Sequence, residues 1–99
     1  MVVETDYPVL CDGQYNPIPE FSEPELPISV RGQIEWTRRI VDLVRNVHYG
    51  LGRGVFYWEP AWLNNTGLGS ACEDAVLFDQ DFSNPLQTIG YSRKSVKLF

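Results

Sequence analysis

The chain has 99 residues and a net charge of −5, with 43% hydrophobic and 21% charged residues. That is enough for one small domain, too short for two, and not a disordered composition. The acidic excess disfavours a nucleic-acid backbone as partner, and no apolar run approaches the roughly 20 residues of a membrane span.

In chain order, residues 1–8 open with the β-branched run Val2-Val3 and close at Tyr7-Pro8, as a buried parallel strand and its end would. Met1 is followed by neither a basic nor an apolar leader, so no signal peptide is expected. Residues 9–28 carry Pro17, Pro19, Pro24 and Pro27 and predict a long loop. Its acidic residues Glu20, Glu23 and Glu25 lack the spacing of a calcium loop and read as a solvated segment. Ser29 is an N-cap candidate, and the spacing of Ile34, Ile40, Val41, Val44 and Val47 predicts a helix over 29–48. His48 reads as a helix-end residue. Gly50, Gly52 and Gly54 turn the chain into a second strand over 54–60, stopped by Pro60. A loop is expected over 61–74. Ala75 to Phe78 is open between helix and strand. Asn84-Pro85, a cap-then-Pro pair, predicts a last helix over 84–93. The order is βαβα with a parallel strand pair, an α/β class. Both strands are apolar on each side, so they call for neighbours beyond these two.

In a parallel α/β fold the site is built at the C-terminal ends of the strands. Glu4 and Glu59 stand there. Each suits a nucleophile or an acid/base, and each also suits a plain acceptor of backbone N–H groups. Trp58, Trp62, Tyr57 and Tyr7 gather at the same ends. Flat aromatic faces stack on sugar rings while carboxylates bind hydroxyls, which suits a carbohydrate cleft. Tyr57 fits the core better, and Trp58 and Trp62 fit either role. The run Gly50-Leu51-Gly52-Arg53-Gly54 follows a helix and opens a strand, the reverse of a phosphate loop, so no nucleotide site is expected. Asn64-Asn65-Thr66 is a glycosylation sequon at Asn64. Cys11 and Cys72 form either one disulfide or two free thiols, and with a single histidine they make no metal motif.

Four blocks together resemble glycoside hydrolase family 53, the endo-β-1,4-galactanases. They are Val2-Val3-Glu4-Thr5-Asp6-Tyr7-Pro8, Ser29-Val30-Arg31-Gly32-Gln33, Gly54-Val55-Phe56-Tyr57-Trp58-Glu59-Pro60-Ala61-Trp62 and Leu68-Gly69-Ser70. The resemblance runs from Met1 to about Ser95 and is strongest to fungal members. It implies the C-terminal βαβα portion of a (β/α)8 TIM barrel, strands seven and eight, incomplete as a stand-alone domain. It implies a retaining hydrolase with Glu4 as nucleophile, with Trp58 as a cleft wall and Trp62, Glu59 and Tyr7 beside it. It implies a bridge between Cys11 and Cys72 joining the loops after the two strands. It implies an extracellular enzyme acting on β-1,4-galactan or arabinogalactan; the residues themselves lead to an expectation of no cofactor, no metal and no nucleic-acid or membrane partner.

The family's acid/base lies in an Asn-Glu dipeptide on strand four, and no such dipeptide occurs in these residues. A whole barrel takes about 250 residues. The isolated chain is therefore expected to be inactive, with the rest of the barrel as a possible partner. The rival readings are a carbohydrate-binding module and a non-functional truncated product.

Overall fold

The computed structural model describes residues 1–11, 26–58, 60–61, 72 and 74–99. Strand β1, Val2–Thr5, leads to helix α1, Val30–Arg45, and then to strand β2, Val55–Tyr57. β1 and β2 pair in parallel, as the sequence predicts. Strands β3, Phe78–Asn84, and β4, Gln87–Ser92, form a separate antiparallel hairpin, and a 3₁₀ turn over Lys94–Leu98 follows.

Helix α1 starts where the sequence puts it. Ser29 is extended, and its hydroxyl accepts the Gly32 N–H at 3.1 Å, satisfying one of the donors a helix start leaves open. At the other end the Asn46 side-chain amide donates to the Asp42 carbonyl at 2.8 Å. The helix thus stops short of the expected residue 48. His48 opens a 3₁₀ turn, in which Tyr49 and Gly50 take positive φ. Gly32 has a packing reason: a Cβ there would overlap the Pro27 carbonyl and press on the Tyr7 ring.

The inner face of α1 differs from the apolar stripe expected of it. Its buried residues are Gly32, Gln33, Thr37 and Val44, while Val47 is exposed. Two polar side chains thus occupy the centre of the contact. Gln33 bonds to segments outside the helix, whereas the Thr37 hydroxyl donates back to the Gln33 carbonyl at 2.8 Å within it. The apolar core among the described residues is Tyr7, Cys11, Leu26, Val44, Cys72, Val76 and Leu77.

The expected last helix over 84–93 is instead the β3–β4 hairpin. Asn-Pro caps helices, but the same asparagine also makes turns. The Asn84 side-chain oxygen accepts the Leu86 N–H at 3.0 Å, and Asn84 pairs with Gln87 across the turn. Asp81 makes a second turn of this kind by accepting the Ser83 N–H at 2.8 Å. Arg93 then anchors the hairpin's base. It is nearly buried, forks onto both oxygens of Asp74 at 2.9 and 2.7 Å, and also donates to Asp79 at 2.7 Å and the Val76 carbonyl at 2.7 Å.

One face of the two-stranded parallel sheet carries uncovered apolar side chains: Val3 is 69% exposed and Phe56 60% exposed, while Val2, Thr5, Val55 and Tyr57 on the other face are half-buried. The segments after the two strands are joined to each other. Leu10 and Asp74 form a β-bridge, and Cys11 is disulfide-bonded to Cys72. The bridge is the first of the two alternatives that composition left open.

Candidate active site

Glu4 is the last-but-one residue of β1 and is exposed. Trp58 follows the last residue of β2, is 41% exposed, and donates its backbone N–H to the Thr5 carbonyl at 2.7 Å. Thr5 pairs with Tyr57 across the sheet, so the carboxylate and the indole stand at the same, C-terminal, end of the parallel pair. Glu59, Trp62, Asn64, Glu20, Glu23 and Glu25 lie outside the described residues.

Behind that end sits a buried polar hub. Gln33 is fully buried, and its side-chain amide donates within reach of four oxygens: Tyr7 O at 3.1 Å, Tyr57 Oη at 3.0 Å, Ala75 O at 3.0 Å and Val76 O at 3.2 Å. Its own oxygen accepts the Ser95 hydroxyl at 2.6 Å. The Tyr57 hydroxyl accepts the Tyr7 N–H at 3.1 Å and donates to Ala75 O at 2.8 Å. Burial pushes the Tyr57 phenol up to about 12, against the opposing pull of its hydrogen bond to the Tyr7 backbone. One glutamine and one tyrosine thus tie together the segment after β1, the segment after β2 and the C-terminal turn.

Tyr7, expected beside the cleft, is 5% exposed. Its hydroxyl donates to the Leu26 carbonyl at 2.9 Å and its ring lies 5.7 Å from that of Trp36. Tyr57 has the inward role that its composition suggested.

Gln33, Trp36, Arg93 and Ser95 were not singled out individually from the sequence, although Gln33 ends one of the four resembling blocks. A signal existed for one pair: Gln33 and Thr37 are four residues apart on a helix, so they share a face with Val44, and polar residues there imply partners inside. No group of three or more potential metal ligands occurs among the described residues, and no described helix is long and apolar enough to cross a membrane.

The glycosyl hydrolase family 53 model matches residues 1–90. The chain belongs to that family. It is 40% identical over 93 residues to the arabinogalactan endo-beta-1,4-galactanase A of Aspergillus niger, a match covering 90% of this chain and 25% of that enzyme. It is 45% identical over 83 residues to a probable arabinogalactan endo-beta-1,4-galactanase A of Aspergillus terreus, covering 80% and 22% respectively. A chain from a solved structure of two fungal beta-1,4-galactanases superposes with a TM-score of 0.70 at 33% identity, covering 98% of this chain and 26% of that one. This family 53 chain therefore spans about a quarter of the length of the relatives it matches, and its fold is a part of their TIM barrel.

Proposed function

We propose that this chain forms part of a retaining endo-β-1,4-galactanase, in which β1 and β2 are strands seven and eight of the barrel and Glu4 is the nucleophile. The observation that carries this reading is the placement of Glu4 and Trp58 at one end of a parallel strand pair in a family 53 chain. The Glu4 carboxylate attacks the anomeric carbon of a β-1,4-linked galactosyl unit. The bond to the leaving oxygen breaks, and that oxygen takes a proton from a second carboxylic acid. Water, deprotonated by the same second group, then releases the sugar from Glu4 with retained configuration. Such a pair stands about 5 to 5.5 Å apart. The second carboxyl comes from another part of the barrel. Trp58, with Trp62 and Glu59, walls the cleft, and Tyr7 supports it from beneath. The sequon at Asn64 and the disulfide suit an extracellular enzyme, as does a polymeric substrate.

The exposed Val3 and Phe56 share one face of the sheet, which further parts of the barrel would cover. The 99 residues alone are accordingly inactive, and the partner is the remainder of a family 53 barrel. The test is co-expression with the complementary three quarters of a fungal relative, assayed on β-1,4-galactan. Turnover is expected from the combination, none from the chain alone, and none after Glu4→Gln. Turnover that survives Glu4→Gln overturns the reading. A carbohydrate-binding role, which the exposed Trp58 also suits, predicts instead that the chain alone binds galactan and that Glu4→Gln leaves binding unchanged.

A further inference from the structure

β1 and β2 do not run in step. Val2 faces Val55 and Thr5 faces Tyr57, so three steps along β1 match two along β2. The extra residue falls at Val3–Glu4. Exposure agrees: a regular strand alternates, yet the neighbours Val3 and Glu4 are both exposed while Val2 and Thr5 are both half-buried. Such a β-bulge re-aims a side chain, and removing it would turn Glu4 to the opposite face of the sheet.

The bulge is held on both sides. Before it, the Val2 N–H donates to the Gly54 carbonyl at 3.0 Å. After it, Thr5 is held twice. Its carbonyl accepts the Trp58 N–H at 2.7 Å, and its hydroxyl oxygen accepts the Trp36 indole N–H at 2.9 Å. The second bond crosses from the sheet to α1, where Trp36 leans on Tyr7.

We infer that Thr5 and Trp36 are positioning residues for Glu4: their hydrogen bond pins the bulge that sets where the Glu4 carboxylate stands. This rests on the reading of Glu4 as the nucleophile. The bland account is that Trp36 merely satisfies its N–H. It predicts lower stability in variants but an unchanged carboxylate.

The experiment uses the isotopically labelled full chain and reads two signals by NMR, the Glu4 carboxyl carbon resonance and hydrogen exchange of the Trp58 amide. Thr5→Val keeps the shape and removes the acceptor. Thr5→Ser keeps the oxygen, and Trp36→Phe removes the donor. Thr5→Val and Trp36→Phe are expected to move the Glu4 signal and to speed Trp58 exchange about fivefold, the equivalent of one net hydrogen bond. Thr5→Ser is expected to behave as the parent. A Glu4 signal that stays in place in Thr5→Val, or moves as far in Thr5→Ser, overturns the inference. If Thr5→Val does not fold, Trp36→Phe against the parent decides. Galactan turnover of the co-expressed combination that is lost in Glu4→Gln, with an unmoved Glu4 signal in Thr5→Val, sinks only the positioning role. Turnover surviving Glu4→Gln with a moved signal sinks only the nucleophile.

Discussion

Replacing Gln33 with leucine is the sharpest perturbation of this fold. The side chain is fully buried and keeps a similar size, so the change removes polarity rather than volume. An amide group has two N–H donors, so two of its four neighbouring oxygens are served at a time, and its oxygen serves Ser95 as well. Three hydrogen bonds are lost, at about 1 kcal/mol each, for a total of about 3 kcal/mol. For a domain of this size that lowers Tm by roughly 12–24 °C. The losses are not evenly shared. Val76 O keeps its bond from Arg93 and the Tyr57 hydroxyl keeps its bond to Ala75 O, whereas the fully buried Ser95 hydroxyl loses the acceptor it has in the parent. Adding Ser95→Ala removes that stranded donor, so the double variant should cost less than the sum of the singles by about 1 kcal/mol. Urea unfolding followed by tryptophan fluorescence measures all four corners of the cycle. A cost for Gln33→Leu below about 1 kcal/mol, or strict additivity with Ser95→Ala, would refute the hub.

The raised Tyr57 phenol fixes the sign of one pH effect. The unfolded chain loses this proton near pH 10 and the folded chain near 12, so between those values the folded state binds more protons and stability falls as pH rises. Tyr57→Phe should flatten the alkaline limb of a melting-temperature profile, and an unchanged limb would count against the burial. Arg93→Met should cost about 3 kcal/mol, because it strands Asp74 in a half-buried site, whereas Asp79→Asn, on a carboxylate that is two-thirds exposed, should cost under about 1 kcal/mol. Equal effects in urea titrations would contradict that ranking. Reducing the Cys11–Cys72 bridge, which spans 61 residues, should lower stability by about 4 kcal/mol on the chain-entropy account, read as a shift of the unfolding midpoint with and without reductant.

Local signals in the sequence determined the two strands β1 and β2, the Ser29-capped helix, the glycine turn and the places of Glu4 and Trp58 at the strand ends. Each depends on residues close together in the chain, such as a hydroxyl three residues before its N–H or a proline that stops a strand. Family membership was legible in the same way, from short blocks such as Phe56-Tyr57-Trp58-Glu59-Pro60. The last quarter was not. Asn84-Pro85 serves a helix start and an Asx turn equally well, and the choice fell to Arg93, whose partners Asp74 and Asp79 lie 19 and 14 residues away. The hub on Gln33 and the clamp of Trp36 on Thr5 span 62 and 31 residues. Only the tertiary structure decides such contacts, because a buried polar group states that it needs a partner without naming which one.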